Sequence, residues 1–135
     1  MQVIVLSNGK LEVKEIENTL ENLQKIVGGY IEIPFLGGIF NKYKINPIIN
    51  EEGKFIEDLK PEIALIDGNT KKFLDVVYGN CIFASHDEHG ETISLNDEQI
   101  AIVMEELKQD IILTYKDNEK EFKVKALFLW TENNN

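Results

Sequence analysis

Residues 27–38 read VGGYIEIPFLGG, two glycine pairs around an alternating apolar run. Glycines that lead into a helix cradle phosphate, because the free N–H groups and the positive dipole end face the anion. Glycines that follow a helix face its carbonyl end, which repels anions, and supply the left-handed residue that closes it. The residues upstream decide between the two. In ENTLENLQKIVGG (17–29), Asn18 is placed to cap with Glu21 three positions on, and Leu20, Leu23, Ile26 and Val27 recur at helical spacing. Gly28 and Gly29 therefore end a helix, and the stretch is not a phosphate loop.

Working outward, Ile31, Ile33 and Phe35 alternate with Tyr30, Glu32 and Pro34, which predicts a strand with one buried face. Pro34 cannot donate to a ladder, so this strand is an edge or ends there, and an open edge offers a place for a second copy. Upstream, QVIVL, Asn8-Gly9 and KLEVKEI predict a tight hairpin whose second strand is half-buried through Leu11 and Val13. Downstream, Gly37-Gly38 opens a loop carrying Phe40, Lys42, Tyr43 and Lys44, and a strand starts at Ile48. FIEDLKPEIAL reads as irregular chain or a short helix around Pro61, and KFLDVVYGNCIFAS as strand interrupted at Gly79-Asn80. Asn96 with Gln99 starts the clearest helix, whose stripe is Ile100, Val103, Met104 and Leu107. The chain closes with IILTY, a polar turn, and a strand in which Phe122, Val124, Ala126, Phe128 and Trp130 share a face. Hairpins mixed with two main helices, without a regular strand–helix rhythm, predict one α+β domain over residues 1–130 with a mainly antiparallel sheet. Residues 111–130 form its C-terminal hairpin, and 131–135 read as a disordered tail.

The bulk properties exclude several functions. The longest apolar runs fall far short of the roughly 18 residues of a membrane helix, and the start of the chain has no basic leader. One cysteine, Cys81, cannot form an internal disulfide, so a cytoplasmic setting is expected. Twenty-four acids face fourteen lysines and no arginine, for a net charge of −10. Such a chain is ill-suited to neutralising nucleic-acid phosphates. The charge is also uneven: residues 85–110 hold eight acids against Lys108 alone.

Few residues point to chemistry. His86 and His89 have a metal-capable spacing but lack a second ligand cluster, so a polar hairpin turn is expected and no metal. Cys81 lies in an apolar strand and reads as core, and the carboxylate pairs 51–52, 97–98 and 105–106 do not converge. A non-enzymatic protein without a cofactor is the expectation. Two surfaces remain. Asp97, Glu98, Glu105, Glu106 and Asp110 make an acidic helix face that would dock on a basic protein surface; a solvated outer face explains the same pattern. Phe40, Lys42, Tyr43 and Lys44 make a loop that would anchor a partner or stack on a small anion such as a nucleotide; folding back as a lid over the core is its other reading.

LENLQKIVGGYIE (20–32), NEEGK (50–54) and LNDEQI (95–100) resemble, in order and spacing, the small proteins of domain of unknown function 3846. The resemblance spans about residues 2–109. That family occurs largely in bacteriophages and conjugative elements, so it implies a mobile-element accessory protein acting in a bacterial host, and supplies no reaction. Lys60-Pro61-Glu62-Ile63-Ala64 stands where the family often has P-P-N-R-A, and the 111–130 hairpin lies outside the resemblance. Together these readings predict a protein that binds and modulates a host protein, such as a defence factor. The alternative is a module that sequesters a small-molecule or nucleotide signal, at a protomer interface if the chain is a homo-oligomer.

Overall fold

The computed structural model describes residues 1–56, 58–108 and 111–130. In chain order its elements are β1 (Gln2–Ser7), β2 (Lys10–Glu15), α1 (Leu20–Val27), β3 (Ile31–Glu32), α2 (Gly38–Lys42), β4 (Ile45–Asn50), a 3-10 turn (Gly53–Phe55), β5 (Pro61–Asp67), β6 (Phe73–Tyr78), β7 (Cys81–His86), β8 (Thr92–Ile93), α3 (Asp97–Leu107), β9 (Ile112–Asp117) and β10 (Lys120–Leu129). They form one α+β domain with two sheets, mostly antiparallel, where the sequence suggests a single one. The first sheet runs β2-β1-β7-β4-β3, with β8 also on β7, and the second runs β6-β5-β10-β9. Only the β5–β10 pair among the described strands is parallel, Ile63 lying opposite Lys125 and Leu65 opposite Leu127.

The first sheet is a middle layer. Val3, Val5, Ile48, Ile82 and Ala84 face α1, packing with its Leu23 and Val27. Ile4, Leu6, Ile45, Cys81 and Phe83 face the other way, onto Phe40 of α2, Val103 and Leu107 of α3, and Ile63 and Leu127 of the second sheet. Burial on both sides explains why VIVL and CIFA are unbroken apolar runs rather than alternations. Gly28 adopts φ +85° and closes α1, its N–H donating to Gln24 O, as the opening stretch predicts.

Several local expectations are corrected. Thr19, not Asn18, caps α1, its Oγ1 accepting from Asn22 N at 3.1 Å, while Asn18 reaches Thr92 O instead. The strand after Gly29 is only two residues long. It ends before Pro34, and the supposed buried face is outside, with Ile33 47% and Phe35 79% exposed. Val13 is also exposed, because β2 is an edge strand with little packed over it. The segment around Pro61 is strand β5, and Pro61 stands at its first position, where the missing donor is tolerated. In β10, Val124 and Ala126 are buried as expected, but so is Leu127 on the opposite face, and Trp130 is half-exposed. The expected tail at 131–135 lies outside the described residues.

The C-terminal hairpin thus belongs to the core, because Leu127 is fully buried among residues of both sheets and α3. Leu127→Ala is expected to cost about 2–5 kcal/mol, the range for a leucine that leaves a cavity. Urea denaturation measures it, and a loss under about 1 kcal/mol would place the hairpin against the core rather than in it.

Candidate functional site

Helix α3 begins with the box that the sequence predicts. Asn96 Oδ1 accepts from Gln99 N and Gln99 Oε1 accepts from Asn96 N, both at 2.8 Å. Gln99 does more than cap, which the sequence did not signal. It is buried, and its Nε2 donates to Tyr43 O at 2.7 Å and to Ser85 Oγ at 2.9 Å, while Ser85 Oγ donates to Lys44 O at 2.9 Å. This network ties α3, β7 and the α2–β4 corner into one unit with its buried polar atoms satisfied.

The core-facing side of α3 is Gln99, Val103 and Leu107. At about 100° per residue, Asp97, Glu98 and Glu105 project from the opposite side, with Ala101 and Lys108 among them, and all five are exposed. Glu106 points to the flank and is half-buried; burial and then the neighbouring Glu105 charge raise its carboxyl above the usual range. Among the described residues none of these four acids takes part in an ion pair. Asp110, the fifth acid proposed from sequence, lies outside the described residues.

The Gly37 loop is different from its expected form. Residues 38–42 make the short helix α2, and Phe40 is 1% exposed, its ring 6.1 Å from that of Phe83. Phe40 is therefore a core side chain, because β7 presents it an aromatic partner, and it offers no surface to a ligand or partner. Lys42 stays exposed, its Nζ 5.7 Å from the Tyr43 ring centre; Lys44 is exposed at φ +57°, and Tyr43 is half-buried. The Gln99 bond places this corner beside the first turn of α3, on the side that faces the core.

Other reactive groups are occupied. His86 Nδ1 accepts from Asn46 Nδ2 at 2.7 Å, and exposed His89 pairs with Glu88 at 3.7 Å. Asp87 accepts from His89 N and Glu91 N and so holds its own turn. No three metal-ligating side chains come together among the described residues. Cys81 is fully buried, which pushes its thiol far above the ordinary range. A cleft of about 440 Å³, which no local sequence pattern signals, is lined by residues of the β1–β2 turn, β5, β9 and β10. Glu62 beside it is 8% exposed and accepts from Asn8 N at 2.8 Å and Gly9 N at 3.2 Å, fastening the β1–β2 turn to β5.

The chain belongs to the family described as Domain of unknown function (DUF3846), whose model matches residues 1–108. No curated protein and no solved structure matches it. Strands β9 and β10, which complete the second sheet, lie beyond the matched residues.

Burial holds the Glu62 carboxyl above the usual glutamate range, outweighing the lowering by its two N–H donors and by Lys60 and Lys125. The folded chain then keeps this proton more tightly than the unfolded one. Its contribution is full at low pH and declines as pH rises from about 4.3, the unperturbed value, to the raised one. Glu62→Gln cannot titrate. In urea unfolding between pH 4 and pH 7, roughly spanning that carboxylate window, the stability difference between wild type and variant should move in the variant's favour and then level. A difference that ignores pH, or moves the other way, contradicts this.

Proposed function

We propose that this family member is a non-enzymatic accessory protein of a phage or other mobile element, which binds a host protein through the outward face of α3. The observation that carries the reading is the grouping of Asp97, Glu98 and Glu105 on one exposed side, unpaired, above a helix locked to the core. A fixed carboxylate array suits a basic surface, such as the nucleic-acid-facing side of a host defence factor in the bacterial cytoplasm. Opposed charge would speed encounter and fix register. Half-buried Tyr43, with Lys42 over it, supplies a less polar contact in place of Phe40.

The second reading, a module that sequesters a nucleotide signal on the Gly37 loop, keeps Tyr43 but loses the Phe40 ring to the core. The docking reading is therefore preferred.

The test compares the full chain with the triple variant Asp97→Asn/Glu98→Gln/Glu105→Gln as baits in host cells carrying the element. Screening length falls from about 30 Å at 0.01 M salt to about 3 Å at 1 M, so washes across that range read the electrostatic share. A host protein held by wild type at low salt, released as salt rises and lost by the triple variant is the expected result. The variant should keep its fold, losing on the order of 0.3–1 kcal/mol for each charge removed from the first helical turn. A partner retained equally by both baits, or indifferent to salt, would sink the proposal.

A further inference from the structure

The 440 Å³ cleft opens at the seam between the β1–β2 turn, the start of β5 and the inner edge of β10. Its volume falls within the roughly 300–1,000 Å³ of small-molecule sites. Three lysines, Lys60, Lys123 and Lys125, are among the residues that line it. In a chain of net charge −10 their convergence needs a reason.

Two carboxylates, Glu62 and Glu121, line the cleft as well, and each is engaged by another partner. Glu62 is held by the Asn8 and Gly9 N–H groups, with Lys60 and Lys125 acting on it at longer range, and Glu121 pairs with Lys116 at 3.6 Å. The lysines are fixed by neutral oxygens instead. Lys123 Nζ donates to Thr114 Oγ1 at 2.6 Å, and Lys125 Nζ donates to Leu107 O at 3.3 Å. Such tethers position a cation without cancelling its charge. Lys60 is exposed and enters no ion pair among the described residues. Ile112 and Phe122 complete the lining, and Ile112 is 62% exposed at the mouth, apolar surface that the fold itself does not use.

We propose that this cleft binds a small phosphate-bearing molecule, its charge met by Lys60, Lys123 and Lys125 and its apolar part lying against Ile112, which pairs with Lys125 and shares its face. The chain has no arginine to grip an anion bidentately, so the lysines act as point charges, which suffices for a compact phosphate group where it would not for a long polyanion. The site joins Asn8 and Lys60, within the family match, to β10, outside it, so the C-terminal hairpin creates it. It does not rest on the docking reading, which uses a different face.

The experiment titrates the ¹⁵N-labelled full chain with AMP and, separately, with pyrophosphate at constant ionic strength. Saturable amide shifts grouped at Asn8, Gly9, Lys60, Lys123 and Lys125 with either probe support the site, and saturation by AMP shows that the apolar wall is used. Lys60→Gln, which removes an untethered surface charge and spares the fold, should weaken binding about tenfold, the weight of one ammonium–phosphate contact. Lys123→Gln/Lys125→Gln should abolish saturation while the dispersed spectrum persists. Shifts that never saturate with either probe, that scatter over lysines elsewhere, or that survive Lys60→Gln unchanged overturn the proposal.

Discussion

Strand β7 is covered on both faces, and the rest of the molecule is arranged to cover it. Ile82 and Ala84 require α1 on one side; Cys81 and Phe83 require α2, α3 and the second sheet on the other. The strand lies between β1 and β4, so its backbone is paired along both edges, and its side chains from Cys81 to Ser85 are buried. Each covering element buries apolar surface that would otherwise be exposed, which is the main favourable term in folding. Ser85 is the polar exception in the run. Its hydroxyl is satisfied by Lys44 O and Gln99, so the hydrogen-bond need of this buried serine ties α3 and the α2–β4 corner to β7.

What the sequence makes legible follows from the range of the forces involved. Local chemistry reads well: the Asn8-Gly9 turn, the Gly28 closure of α1 and the Asn96/Gln99 box are set within a few residues, and each forms as expected. Alternation misleads where burial depends on distant chain. Ile33 and Phe35 alternate as a buried strand should, yet they stand 47% and 79% exposed, and β3 stops at Glu32. Phe40 stands in a glycine-opened segment followed by Asn41 and Lys42, which reads equally as a surface loop or a lid over the core, and Phe83, more than forty residues away, claims it for the core. The second sheet was hidden because its central contact is a parallel pair between β5 and β10, far apart in sequence and joined by no hairpin turn. The acidic face was legible from helical periodicity alone, whereas the lysine cleft was not. Its residues come from the β1–β2 turn, β5 and β10, which only the tertiary fold assembles.

The C-terminal hairpin changes the molecule more than its position past the family match suggests. Residues 1–108 include the β5–β6 hairpin, whose β5 edge would stand open without a further strand. β10 closes that edge and sends Leu127 into the core. Lys125 on the same strand reaches the carbonyl of Leu107 at the end of α3. One strand therefore completes a sheet, fills a core and caps a helix, which makes it part of the domain rather than an appendage.

The charges on α3 separate structural need from surplus. Asp97 and Glu98 in the first turn suit the positive end of the helix, and Lys125 at Leu107 O suits its negative end. Glu105 and Glu106 do neither. They stand in the last turn, where carboxylates oppose the dipole, no basic side chain of the helix offsets them, and the two repel each other enough to help raise the Glu106 carboxyl. Helix stability alone would favour lysine or glutamine at these positions. Glu105 shares the outward face with Asp97 and Glu98 about two turns away. Glu105 is thus surplus to the stability of the helix, and its effect is to extend the charged face along the helix length.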